Sequence, residues 1–212
     1  KVFGEPAKSL TIVGVTGTNG KTSTTAMLSA ILSHAGFSVY TIGTLSGERT
    51  TPEAIDLHAR FHQCVADGMS HVVMEVSSHA LALHRVAGVM FDFAVLTNVG
   101  RDHLDFHGTE EAYFAAKAKL FDARQSQRGV VNIDDAHGQL LCDVRSIEMT
   151  TFSMDDVSDM VVEVDHVRFV WRKEVIEVPL GGVFTVMNAL AAITVASEMG
   201  VDIKVATEGL KG

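Results

Sequence analysis

Along most of this chain, short apolar runs alternate with longer stretches whose apolar positions recur every three or four residues. Ile12 to Val15 is such a run, and it breaks into a glycine-rich turn. Residues 21–35 then place Met27, Leu28, Ile31 and Leu32 on one face, with Gly36 after them, which predicts a helix and its stop. Further strands are expected at Phe37 to Ile42, His71 to Val76, Phe91 to Thr97 and Gly129 to Ile133. Helices are expected from Pro52 to about Asp67, Thr109 to Phe121, Asp134 to Val144, and over an amphipathic stretch at 184–199. Polar loops, one containing Gly47 and one running from Asn98 through Gly108, separate them. Strands that are apolar throughout and alternate with helices predict an α/β fold, a mostly parallel sheet covered on both faces. Between about Ser146 and Pro179 the period shortens to two, as in Val167 to Trp171, and a small antiparallel β extension is expected there.

In an open parallel sheet, ligands gather beyond the carboxyl ends of the strands. The turn after Val15, the Thr44–Thr51 loop, Glu75 to His79 and Asn98 to His107 are the polar strand ends, so one rim should carry one site. The turn runs Gly14, Val15, Thr16, Gly17, Thr18, Asn19, Gly20, Lys21, Thr22, Ser23. A strand feeding a helix through such a turn aims backbone N–H groups and a positive helix end at one point, which suits a polyphosphate. Lys21 adds a mobile cation, and the Thr22 hydroxyl is a candidate Mg2+ ligand. The strict phosphate-loop spacing would need glycine where Val15 stands, so the loop is a variant of that motif.

Glu75 closes an apolar run and is placed either to bind Mg2+ or to cap the following segment. Asp102 to His107 is dense in ligand-type groups. A second Mg2+ or Mn2+ with one histidine ligand competes there with loop residues that cap the next helix, and a zinc or iron site lacks further ligands at standard spacing. Lys117 shares a helix face with Tyr113 and Leu120; position alone favours a lysine whose stem covers apolar surface.

Composition narrows the partners. A net charge of −9 argues against non-specific nucleic-acid binding, and no apolar run approaches the roughly 20 residues that span a bilayer. Cys64 and Cys142 read as reduced thiols of a cytoplasmic protein. The absence of an initial Met and the ending at Gly212 suggest a piece of a longer polypeptide.

The Gly14–Thr22 loop, the Glu75–His79 strand end, and Thr97 and Asn98 with Asp102 and His103 resemble the central ATP-binding domain of the Mur ligases. Thr50 to Glu53, Ser77 to His79 followed by His84 to Val86, and Arg101 to Gly108 are most similar to the type that adds the third residue to UDP-N-acetylmuramoyl-L-Ala-D-Glu. Phe3 to Pro6 resembles the linker before this domain, and Glu208 to Lys211 its last helix. The implied organisation is a linker at 1–10 and the ATP-binding domain at 11–212, with N- and C-terminal domains missing.

The resemblance implies a bacterial cytoplasmic peptidoglycan-precursor ligase. ATP phosphorylates the D-Glu carboxylate, and the amine of L-lysine or meso-diaminopimelate attacks the acyl phosphate. It further implies that Gly17, Thr18, Asn19, Gly20, Lys21, Thr22 and Ser23 hold ATP and that Asn188 lies by the adenine. Thr22, Glu75, His103 and a carbamylated Lys117 would bind Mg2+, with Lys21, Lys117 and His103 catalytic. Thr50, Thr51, Ser77 and Arg85 would contact the muramoyl-dipeptide. Thr185 departs from the family's usual asparagine. The isolated domain is expected to have little or no ligase turnover. Folylpoly-γ-glutamate synthetase and cyanophycin synthetase share the loop, although Thr50 to Pro52 and His84 to Val86 count against both. A phosphate-loop switch domain would leave Lys117 and the Asp102–His107 cluster without a purpose.

Overall fold

In the computed structural model, residues 4–46, 49–144 and 147–212 are described. Phe3, Gly47 and Ser146, named above, lie outside them. Six parallel strands form the main sheet: β1 (Thr11–Thr16), β2 (Val39–Ile42), β3 (His71–Glu75), β4 (Phe91–Leu96), β5 (Ser126–Asn132) and β6 (Glu148–Phe152), in the order β2-β3-β1-β4-β5-β6. β1 pairs in parallel with β3 on one side and β4 on the other. The order therefore reverses at β1, and the crevice this creates opens at the tips of β1 and β4.

Strand residues alternate between two cores, as a period of two requires. Val13, Val15, Val73 and Val95 face one core, formed with α1 (Lys21–His34), α7 (Val183–Glu198) and α8 (Ile203–Gly209). Ile12, Val72, Met74 and Leu96 face the other, against α2 (Ala54–Ala66), α5 (Glu110–Ala118) and α6 (Ala136–Val144). The helix expected to be amphipathic is buried nearly all round: every residue from Ala189 to Ala196 is buried in α7. It fills the space between α1 and the sheet, and its alanines let it come close. At the α1–α8 contact a side chain on Gly209 would sit 2.7 Å from the Ile31 Cα, so only glycine fits there.

The small antiparallel β extension expected near residues 146–180 is present as a separate sheet of β7 (Val157–Val162), β8 (Val167–Trp171) and β9 (Glu174–Val178); β6, at the start of that stretch, pairs in parallel with β5 and belongs to the main sheet. The inward residues of the separate sheet, Val167, Phe169, Trp171 and Ile176, join the α7 core, so it packs as a flap rather than extending the main sheet. Two other expectations need correction. Pro52 lies outside α2, before the N-cap Glu53. The polar loops after β3 and β4 each hold a short helix, α3 (Ser78–Ala82) and α4 (Leu104–His107). Helices this short carry too few apolar repeats to register as a period.

Candidate functional site

The turn after β1 delivers α1 with its N-terminus unblocked. The N-cap is Gly20, no side chain caps it, and the first turn has no acidic residue. The first N–H groups of a helix lack intrahelical acceptors, so here they stay free for an anion. Thr97 and Asn98, at the tip of β4, brace the turn from outside. Asn98 Oδ1 accepts from Asn19 N at 3.0 Å, Asn98 Nδ2 donates to Asn19 O at 3.0 Å, and Thr97 Oγ1 donates to Asn19 O at 2.6 Å. Gly17 has φ +154° and is so close to Thr97 Oγ1 that a Cβ would collide with it. Gly17→Ala is expected to displace the turn and cost about 1–3 kcal/mol, measurable as a lower denaturation midpoint; unchanged stability would show that the turn has slack.

Lys21 folds back over the turn, its Nζ donating to Gly17 O and Thr18 O at 2.9 Å each. Burial lowers its pKa, while the negative charges of Glu75 and Asp102 oppose the shift. Thr22 Oγ1 donates to Glu75 Oε2 at 3.0 Å, and Glu75 Oε1 accepts from Thr44 N at 2.7 Å. Lys21, Thr22 and Glu75, from the tips of β1 and β3, thus share one small region. Lys117 reaches it from α5. Only 1% exposed, it donates from Nζ to Gly17 O at 2.8 Å and lies 4.4 Å from the centre of the Tyr113 ring. Burial, reinforced by the positive charge of Lys21, pushes its pKa down to about 7. The lysine is therefore not a stem covering outer surface; its amine points into the site.

The remaining predicted residues divide into groups. Thr51 is buried: its Oγ1 donates to Glu75 O at 3.0 Å and accepts from Ser77 N at 3.1 Å. Thr50 meets Thr44, itself on Glu75, at 3.2 Å. Ser77 caps α3, accepting from Ala80 N at 3.2 Å. Arg85 Nη2 pairs with Glu53 at 3.0 Å, and its buried Nε has no partner among the described residues. Ser23 is exposed in the first turn of α1. His103 caps α4 in a left-handed conformation, φ +52°. Its ring lies against His79, with centroids 4.7 Å apart, and its Nε2 is 3.4 Å from Asp102 Oδ2. Burial and neighbouring histidines push the pKa of both His79 and His107 down. Asn188 accepts from Thr24 Oγ1 at 3.4 Å. It lines a cavity of about 240 Å³ beside Asn19 and Gly20, whose other walls include Met187 and Phe184.

Two side chains that matter here were not singled out as site residues in the sequence: Thr44 and Tyr113. Nothing marks Thr44 beyond its polar loop. Tyr113 carries a signal, its four-residue spacing from Lys117 on one helix face. A larger cavity, about 570 Å³, lies among residues 4–10, His58 and Met90 at the other end of the strands and includes none of these groups.

The donors fit Mg2+. Thr22 and Glu75 offer hard oxygens 3.0 Å apart, and Mg2+ commonly takes one or two protein oxygens with phosphates and waters completing the shell. Among the described residues, no three His, Cys, Asp or Glu side chains form a metal-holding group, and none of the helices is long and apolar enough to cross a membrane.

Known proteins are similar to this chain in sequence and fold. The diaminopimelate ligase of Caldanaerobacter subterraneus subsp. tengcongensis, named as acting on UDP-N-acetylmuramoyl-L-alanyl-D-glutamate, is 41% identical over 98% of this chain and 47% of its own length. The ligase of the same name from Corynebacterium glutamicum is 40% identical over 99% and 45%. The chain thus spans about half the length of the curated relatives it matches. A solved structure of a UDP-N-acetylmuramoyl-L-alanyl-D-glutamate–2,6-diaminopimelate ligase superposes with a TM-score of 0.85 at 31% identity, over 95% of this chain and 46% of that one. The D-alanyl-D-alanyl-adding ligase of Acinetobacter baumannii, at 21% identity and TM-score 0.77, shares the fold. Residues 15–196, from the end of β1 through nearly all of α7, match the family described as Mur ligase middle domain, and with that span and these relatives the chain belongs to it.

Proposed function

We propose that this chain is the ATP-binding central domain of a cytoplasmic ligase that adds a third amino acid to UDP-N-acetylmuramoyl-L-Ala-D-Glu. The printed names of its relatives favour 2,6-diaminopimelate as that amino acid. The observation that carries the proposal is the meeting of Lys21, Thr22, Glu75 and Lys117 around the turn after β1.

The free N–H groups opening α1 bind the β- and γ-phosphates, and Lys21 exchanges the Gly17 and Thr18 carbonyls for phosphate oxygens. Mg2+, when held by Thr22 and Glu75 and reached by His103, neutralises charge on those oxygens. Beside the turn, the cavity fits the flat apolar faces of adenine, and Asn188 faces its polar edge. Phe184, 79% exposed at the mouth, is free to cover the base. Thr185 donates to Gly181 O at 2.8 Å and so caps its own helix turn, leaving the adenine contact to Asn188. In the muramoyl-dipeptide subsite, a substrate carboxylate replaces Glu53 on the Arg85 fork while Thr50, Thr51 and Ser77 line the approach.

With ATP positioned, a D-Glu carboxylate oxygen attacks the γ-phosphorus. The bond to the β–γ bridging oxygen breaks and ADP leaves. The amino acid's amine then attacks the acyl carbon, loses a proton and expels phosphate. For Lys117 we propose carbamylation. An amine with pKa near 7 has a large neutral fraction near neutral pH, and the neutral amine attacks CO2 to give a carbamate and a proton. That turns a cation that would repel Mg2+ into an anion that attracts it. The regions of the relatives that this chain does not match would hold the uridine group and the amino acid, so the domain alone is expected to bind nucleotide without ligating.

Calorimetric titration of the 212-residue chain with ATP and Mg2+ tests the proposal. Binding should need Mg2+ and weaken roughly tenfold or more in Glu75→Gln. Binding indifferent to both would overturn it. In the full-length protein, ATP-dependent extension of a folate rather than of the muramoyl-dipeptide would overturn the substrate assignment.

A further inference from the structure

We infer that Tyr113 is a positioning residue that holds the nucleotide turn in its binding conformation through the Thr18 hydroxyl; this rests on the nucleotide reading above. Tyr113 is 1% exposed, and its hydroxyl lies 3.0 Å from Thr18 Oγ1. Thr18 Oγ1 also accepts from Gly100 N at 2.8 Å and lies 3.4 Å from Gly100 O. A threonine hydroxyl has one proton and two acceptor sites. Gly100 O can take that proton, which leaves one lone pair for Gly100 N and the other for the Tyr113 O–H, an arrangement that uses every hydrogen-bonding position of the hydroxyl.

The consequence is mechanical. Tyr113 ties together three segments that arrive from far apart in the chain. Its hydroxyl holds the turn at Thr18, and Thr18 holds the segment at Gly100 that leads into Asp102 and His103. Its ring lies beneath Lys117 Nζ and beside His107, with ring centroids 5.2 Å apart. Burial pushes the phenol pKa up, so the group stays a donor. Phenylalanine would preserve the packing and the contact with Lys117 but leave one Thr18 lone pair empty and hold the turn less firmly at Thr18.

The test is a double-mutant cycle on ATP–Mg2+ affinity in the 212-residue chain: wild type, Tyr113→Phe, Thr18→Val and the double variant, each checked for folding by circular dichroism. A neutral hydrogen bond is worth about 1 kcal/mol, so Tyr113→Phe should weaken binding about fivefold. The double variant should bind no more weakly than Thr18→Val alone, because Thr18→Val already removes the bond that Tyr113→Phe removes. A purely structural tyrosine would instead lower the melting temperature and act additively. Unchanged affinity in Tyr113→Phe, or additive effects, would overturn the assignment. If Tyr113→Phe fails to fold, Thr18→Ser against Thr18→Val reads the same bond: the serine variant must bind more tightly, and equal affinities overturn it. A wild-type chain that binds no ATP–Mg2+ would refute the nucleotide reading itself, an outcome distinct from the others.

Discussion

Lys117→Met should make the chain more stable at neutral pH while removing the group that we propose is carbamylated. The folded-state pKa of Lys117 is about 7, against an ordinary lysine value of 10.5. The unfolded chain therefore binds this proton more tightly, and stability rises with pH between the two values. Below pH 7 the full penalty applies; above about 10.5 it is gone. At pH 7 the cost of holding the ammonium without water is roughly 3–5 kcal/mol. Methionine fills a similar volume without that cost. The lost hydrogen bond to Gly17 O returns about 1 kcal/mol, and Gly17 O keeps Lys21 as a donor. The expected net gain is about 2–4 kcal/mol at pH 7, read by urea denaturation. Wild type should gain roughly 2 kcal/mol from this group between pH 7 and pH 9, a slope the variant lacks. A variant less stable than wild type at pH 7, with the slope intact, would refute the argument. In parallel, 13C-bicarbonate should give a carbamate resonance with wild type and none with Lys117→Met. A fold that keeps so costly a residue where an apolar one would serve is trading stability for chemistry.

Lys21→Ala should have the second large effect, on binding rather than folding. Among the described residues its ammonium bonds to carbonyls of its own turn, and the turn is also held by Thr97 and Asn98. Stability should change little, and ATP–Mg2+ affinity should fall roughly 10- to 100-fold, the range for losing a charged hydrogen bond. Because the cation is only partly buried, the loss should shrink as salt rises. Affinity within twofold of wild type would mean that the free N–H groups of α1 alone hold the nucleotide.

Legibility in the sequence followed the reach of the interactions. The main strands and the longer helices were readable because burial repeats along them with period 2 or 3.6; only their ends shifted, by a few residues. The common rim also followed from local pattern, since parallel strands put all their carboxyl ends together. The helical pattern at 184–199 was misjudged as two-faced. Alanines at positions 189, 191, 192 and 196 read as neutral until the structure shows α1, the sheet and the small flap surrounding them. That β6 pairs in parallel with β5 is not legible locally, because a strand's own pattern does not say whether its neighbour runs parallel or antiparallel.

Within the site, the turn, Glu75 and the Asp102–His107 segment stood out by residue type and spacing. Lys117 did not: its amine meets Gly17 across 100 residues of chain, and from position alone the surface reading was the better one. Residue order was enough to specify most of the elements and the shared rim, because each depends on neighbours a few positions apart. Which lysine loses its water, which hydroxyl holds the turn and which tyrosine ties α5 to it were decided only when β1, β4 and α5 packed together. Burial and hydrogen-bond distance belong to the packed chain, not to any segment of it.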